Sequence, residues 1–257
     1  NGNNIDLQNF FSKKLNEFCK DNKIINYFIR FHPFIMNSNM NLSKCVKENT
    51  GDFISVNLNN LNYPIYKNFE YRHIKSIKKA LNAKIEIIVS NNLKFSRFFF
   101  DIYHQEMKLK KAEKFYFFQK KFFEKQKDYI SGYQFFLAKL DNKIISGELV
   151  LFGDVFCHSF LGATKQEYKH LCANHLIKER ILSYFKEKKL SYYLIGGGSE
   201  GIIKYKIGFS NEKIRPNIIG KINYNESFYN NLINKFKIRY KDKVDSFTKL
   251  QFYENYL

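Results

Sequence analysis

The chain has no tryptophan; its 18% aromatic content is carried by 28 phenylalanines and 18 tyrosines in 257 residues. With the abundant Lys, Asn and Ile, this looks like AT-rich codon usage, so part of the lysine count reflects composition rather than function. Cysteines are few and scattered. Cys19, Cys45, Cys157 and Cys172 form no CxxC pair and have no histidine at ligand spacing, which argues against a structural zinc site and a disulfide framework. No uninterrupted apolar run reaches the length of a membrane-crossing helix, and no signal-peptide pattern is present. The sequence starts at Asn1 rather than Met and reads as an excerpt of a longer chain. A reducing, cytoplasmic setting is the expectation.

Acidic residues are also under-represented: 24 Asp and Glu stand against 43 Lys and Arg, a formal charge of +19. Codon bias does not account for that imbalance. A surplus of this size attracts polyanions in general, among them RNA, nucleotide-linked sugars, coenzyme A and an anionic membrane face. A hydrophobic content of 44% is ample for a buried core, and the length suits one large domain or one complete domain plus part of another.

From about residue 84 to 223 the pattern gives an ordered series. Ile85 to Val89 is a short β-rich run ending at a Ser-Asn-Asn cap signal. Two helical stretches follow, at about 93–108 and 113–129. Strands at 133–140 and 144–152 are joined by Asp141-Asn142-Lys143, and Gly153-Asp154 turns the chain into a third strand at 155–163. A helix at 171–188, a short strand at 192–195, a helical turn at 201–206 and a strand near 217–222 complete the order β-α-α-β-β-β-α-β-α-β. Before it, an amphipathic helix at 7–21 (Leu7, Phe10, Phe11, Phe18) and a strand at 24–31 parallel the later helix-strand pair, and 53–58 is a closing strand. The basic stretch 66–82 reads as a connecting helix with a solvated charged face. The run 108–127 mixes lysines with aromatics as single-strand nucleic-acid binders do; its helical spacing favours an amphipathic helix pair.

Several short strings, in order, resemble the FemAB-like branch of the GNAT acyltransferases. They are IRFHPF (Ile29 to Phe34), Tyr103 and Met107 with Tyr116-Phe117-Phe118, Cys157-His158 through Gly162, and YYLIGGG followed by YKIGFS up to Ser210. The element order is also that of the GNAT fold. The resemblance implies an α/β fold with a mixed sheet: one complete GNAT-like unit (84–257), preceded by a connecting basic helix (66–83) and the C-terminal half of a second such unit (1–65). It implies an N-acyltransferase. The donor would be acyl-CoA, or aminoacyl-tRNA as in some members. The acceptor would be the amine of an amino sugar or a cell-surface precursor, carried on a nucleotide-linked or lipid-linked sugar. The other reading is a non-catalytic module that binds RNA or an anionic glycan through its basic surface.

The residues support specific roles. Three consecutive glycines, Gly196, Gly197 and Gly198, are unfavourable inside a strand; they serve either close main-chain approach of a ligand or a strand-to-helix turn. Lys206 resembles the family's active-site lysine in the F-K-x-x-F string, where a cation stabilises an oxyanion or holds a carboxylate or phosphate. Tyr205 replaces the usual Phe, Phe209 closes the string, and Lys204 is expected to face water. Proton transfer falls to Tyr103, His104 or His158. His158 lies on the central strand with a suitable pKa range, or is a satisfied core histidine. Arg30 and His32 stand on the first strand, where Arg suits an anionic group or is structural. By the resemblance, Tyr116 joins them in substrate binding. The GNAT pyrophosphate loop is glycine-rich; here ATKQEYKHLCAN contains none, leaving Cys172, Ala173 and Asn174 at the helix start to hold the donor. No metal is expected.

Overall fold

The computed structural model describes residues 4–35, 37–125, 128, 130 and 132–239. The strands are β1 (Asn26–Arg30), β2 (Val46–Asn57), β3 (Glu86–Ser90), β4 (Tyr133–Leu140), β5 (Lys143–Phe152), β6 (Phe156–Thr164), β7 (Tyr192–Gly196) and β8 (Arg215–Asn223). The helices are α1 (Ile5–Asp21), α2 (Tyr71–Asn82), α3 (Lys94–Leu109), α4 (Lys120–Glu124), α5 (Ala173–Glu187), α6 (Glu200–Ile207) and α7 (Glu226–Arg239). From β3 to β8 the order is the β-α-α-β-β-β-α-β-α-β read from the sequence.

Packing divides the chain into two units: residues up to Gly51 together with those from Arg215 onward, and Asp52–Ile214. The division expected above, at 65/66 and 83/84, concerns repeated structural units and is a different partition from this one.

In the Asp52–Ile214 unit the strands lie in the order β2-β7-β6-β5-β4-β3. All neighbours are antiparallel except β6 and β7, which run parallel because α5 carries the chain back across the sheet between them. The β4–β5 turn places Asp141 and Asn142 at φ 46° and 63°, the left-handed pair that a two-residue hairpin requires. Both sheet faces are covered. Phe136, Ala138, Ile145, Val150 and Cys157 form one core with Ile77 of α2 and Ile177, Ile181 and Phe185 of α5. On the opposite face Phe135, Leu137 and Leu149 pack with Phe99, Ile102 and Tyr103 of α3 and Phe123 of α4. Strands buried on both sides explain why β4 reads as a nearly continuous apolar run.

One expected helix is shortened. Among its described residues, the stretch 113–129 contains a 3-10 turn at Lys114–Tyr116 and the five-residue α4, with Phe117 non-helical (φ −90°, ψ 72°) and Gln119 extended between them. The cause is on α3: Tyr103 Oη donates to the Tyr116 carbonyl at 2.9 Å, and His104 Nε2 lies 2.6 Å from the Phe118 carbonyl. Those carbonyls point at α3 instead of along a helix. The break lets Phe117, Phe118, Phe122 and Phe123 all face the same core, which one regular helix could not do.

In the other unit β1 and β8 pair antiparallel from Asn26↔Asn223 to Arg30↔Ile219, over a small core of Phe31, Leu42 and Ile222. The apolar stripe of α1 faces outward: Leu7, Phe10, Phe11 and Phe18 are exposed. Its inner face sets Leu15 and the buried Cys19 among polar side chains that are specifically bonded. Gln8 Oε1 accepts from the Asn41 N–H, Ser12 Oγ from the Ser43 N–H, and Asn16 Oδ1 from Tyr224 Oη, each at 2.9 Å. Periodicity gave the helix; these bonds decide which side packs.

Among the described residues no helix is long and apolar enough to cross a membrane, and no group of three His, Cys, Asp or Glu could hold a metal ion. All four cysteines are free thiols.

Candidate active site

The parallel pairing of β6 with β7 covers Phe156↔Tyr192, Cys157↔Tyr193 and His158↔Leu194. Beyond that register β6 continues to Thr164 and β7 ends at Gly196, so the sheet forks there. The fork has an occupant. From α6, the Lys206 ammonium donates to the carbonyls of Ile195 (2.7 Å) and Gly197 (2.6 Å), on either side of Gly196. An ammonium has three donors, and these carbonyls take two of them.

The structure gives the glycines separate reasons. Gly196 has φ +83°, the left-handed region where a side chain is strained. A Cβ on Gly197 would lie 2.9 Å from the Asp52 carbonyl oxygen, and one on Gly198 would meet Ile202 Cγ2 at 2.6 Å. Two of the three thus permit close packing of the chain on itself. The space over Gly196 is different: a carbon at its Cβ position would stand 3.8 Å from both His158 Nε2 and Lys206 Nζ. An imidazole and an ammonium therefore flank a volume the size of one carbon group, next to the main chain.

Burial depresses the Lys206 pKa to about 8; repulsion by Lys178 adds to this and attraction by Glu148 opposes it. Behind it is a polar cluster the sequence reading did not identify. Lys178 of α5 donates to Glu148 Oε1 of β5 (2.7 Å), Ser159 Oγ of β6 (3.1 Å) and Tyr193 Oη of β7 (2.7 Å). Tyr193 Oη donates in turn to Glu148 Oε1 at 2.5 Å. The Lys178 and Glu148 side chains are only 7% and 6% exposed. The available signal was one acid inside the apolar strand IISGELVLF, and one lysine on the buried side of α5 between Ile177 and Ile181.

The structure brings together Lys206, His158, Gly196 and Gly197. Asn174 joins from the start of α5, its Nδ2 donating to Tyr205 Oη at 3.0 Å. Tyr205 is held neutral, its pKa raised by burial and by the Glu148 charge. Lys204 faces water and pairs with Glu200 at 2.7 Å. Phe209 is buried behind α6, its ring stacked on His73 at 4.2 Å. Tyr103 lies in the other core, on the α3 face, bonded to Tyr116 O; burial pushes its pKa up to about 12. Tyr116 itself is half exposed. Arg30 and His32 belong to the other unit. Arg30 stacks over Phe28 at 5.7 Å, and His32 Nδ1 accepts from the Phe34 N–H at 3.2 Å.

Cys172 caps the N-terminus of α5 at φ 60°, with Ala173 fully buried beside it. The first N–H groups of such a helix have no acceptor within the helix. Because a side chain in the left-handed region is strained, Cys172→Gly is expected to stabilise the fold by about 0.5–1 kcal/mol, read as a higher urea midpoint.

His73 of α2 and His175 of α5 pack at 4.9 Å between Tyr205 and Phe209. Burial, with repulsion by His73, lowers the His175 pKa to about 4 from 6.5. Between those values the unfolded chain binds more protons than the folded one, so stability present above pH 6.5 is lost as pH falls towards 4. His175→Phe is expected to flatten the pH dependence of the urea midpoint over that window.

No family model matches the chain, and no curated protein matches it in sequence. Solved structures do. FemX superposes with a TM-score of 0.71 at 14% identity, over 90% of this chain and 80% of that one. The C-terminal domain (DUF2156) of a putative lysylphosphatidylglycerol synthetase from Agrobacterium fabrum gives 0.63 at 11% identity, over 89% and 78%. L-PGS from Bacillus licheniformis gives 0.59 at 11%, over 82% and 71%. The chain has the fold of FemX and of these two proteins. The forked parallel pair and the lysine beside it therefore lie in a scaffold shared with these proteins.

Proposed function

We propose that the protein is an N-acyltransferase that moves an acyl group from a donor with a polyanionic carrier to an amine. The observation that carries this reading is the space over Gly196, flanked by His158 Nε2 and Lys206 Nζ. An acyl carbonyl held there has a cation for the oxyanion of its tetrahedral intermediate. The imidazole is within reach to take the proton that the attacking amine must lose. The amine nitrogen forms a bond to the carbonyl carbon, the carrier's thiol or hydroxyl leaves, and the amide results. Cys172, Ala173 and Asn174, at the start of α5, are the segment for a phosphate of the carrier. Of the acceptor classes, the resemblance supports an amino sugar or the amine of a cell-surface precursor.

Both donor classes carry phosphate, and the two are separable by experiment. The small residues at the start of α5 favour acyl-CoA, whereas the charge of +19 and the likeness to a domain of a putative lysylphosphatidylglycerol synthetase favour aminoacyl-tRNA. Radiolabelled acetyl-CoA and radiolabelled lysyl-tRNA would be incubated separately with the protein and a panel of amino sugars and amine-terminated peptides. Label in an amide product from either donor supports the reading and selects the donor. With neither donor turned over, and neither raising the melting temperature, the acyltransferase reading fails and a non-catalytic binding module takes its place.

A further inference from the structure

On the sheet face covered by α3, and sharing no residue with the fork, a groove of about 420 Å³ opens between α3 and the β4–β5 hairpin. Phe95, Phe98 and Ile102 follow one another at three and four residues along α3, which puts them on one face of the helix. They line the groove from the helix side, and Ile88 of β3 and Ile144 of β5 line it from the sheet side. Ile102 is buried, whereas Phe98 is 51% exposed, so the apolar lining runs from the packed core out to solvent. A volume of this size lies in the range that small ligands occupy.

One end of the groove is basic. Lys139, Lys143 and Lys165 line it against a single acid, Asp101. All three lysines stand at the same end of the sheet, where β4 ends, β5 begins and β6 ends. Ile88 pairs with Leu137, two residues further into the sheet than Lys139, so the apolar lining continues away from the charged end. Lys139 is paired with Glu86 at 3.4 Å. The ammonium groups of Lys143 and Lys165 have no acid or hydrogen-bond acceptor among the described residues.

An apolar trough with unpaired point charges at one end complements a molecule with an apolar tail and an anionic head. A bilayer presents a plane, which a groove between a helix and a hairpin does not match; a single chain lying lengthwise does. We propose that this groove binds a long-chain carboxylate, its tail between Phe98 and Ile144 and its head against Lys143 and Lys165. The proposal does not depend on the acyl-transfer reading.

The chain contains no tryptophan, so Phe98→Trp places a single fluorophore at the groove. Laurate titrated into that variant is expected to shift the indole emission to the blue and to saturate at one equivalent. Octanoate, four methylenes shorter, should bind about 10²-fold more weakly, since each buried methylene contributes a factor of about four. Adding Lys143→Glu and Lys165→Glu should weaken laurate about tenfold and turn the preference towards dodecyltrimethylammonium, which has the same tail and the opposite head. If Phe98→Trp does not fold, calorimetry of the same ligands with the unsubstituted chain makes the same comparison. Absence of saturable laurate binding below its micelle concentration overturns the proposal. So does equal affinity for the two heads, or laurate binding that the two glutamates leave unchanged. A shift with phosphatidylglycerol vesicles but none with laurate also overturns it, and makes this face a membrane contact. None of these readouts involves acyl transfer, so either reading can fail while the other stands.

Discussion

Lys206→Met is expected to lower kcat/KM for acyl transfer by about 10²–10³-fold while leaving the melting temperature unchanged or raised. The loss follows from removing the cation that meets the oxyanion, an interaction made most strongly in the transition state. The stability side follows from the ionisation of the lysine. Its folded-state pKa is near 8 against an ordinary 10.5, chiefly because burial disfavours the ammonium. Between those values the unfolded chain binds the extra proton, so folding is less favourable at pH 7 than above pH 10.5. Methionine keeps the stem of the side chain and removes that charge. Lost bonds to the Ile195 and Gly197 carbonyls offset part of the gain. A folded variant that transfers at the wild-type rate would refute the role of Lys206.

The pH dependence separates a cation from a spacer. If the ammonium is the working form, activity falls as pH rises through about 8, where the proton leaves. Lys206→Arg stays charged throughout and should lose that descending limb while keeping a reduced rate, because a planar guanidinium does not reproduce the geometry of an ammonium at two carbonyls. A descending limb that persists unchanged in the arginine variant would assign it to another group.

The order of elements was legible because each of them is encoded locally. Alternation and apolar runs mark β4, β5 and β6; Asp141-Asn142 marks the turn; three glycines mark the end of β7. The orientation of α1 and the break before α4 were not, for the same reason in both places. A side chain from elsewhere in the sequence decides them: Asn41, Ser43 and Tyr224 draw in the polar side of α1, and Tyr103 and His104 take two carbonyls out of the expected second helix. The site divides similarly. A short string singles out Lys206, and a place on the central strand singles out His158. Their convergence over Gly196 depends on the parallel register of β6 with β7, which is set by a crossover helix and leaves no mark in either strand. Glu148 and Lys178 are thirty residues apart; each stands among apolar neighbours, but nothing in either segment pairs one with the other.

The ion pair of Glu148 and Lys178 supplies the other large effect. Lys178→Met alone is expected to cost about 3–5 kcal/mol in a urea titration at pH 7, because it leaves a carboxylate buried without its cation. That is a large part of the roughly 5–15 kcal/mol by which domains are usually stable. Glu148→Gln alone should cost less, since the amide oxygen still accepts from Tyr193 and Lys178. The double variant should recover most of the loss, giving a coupling energy of more than about 1 kcal/mol in the double-mutant cycle. Simple additivity of the two single effects would mean that the pair does not act as a unit.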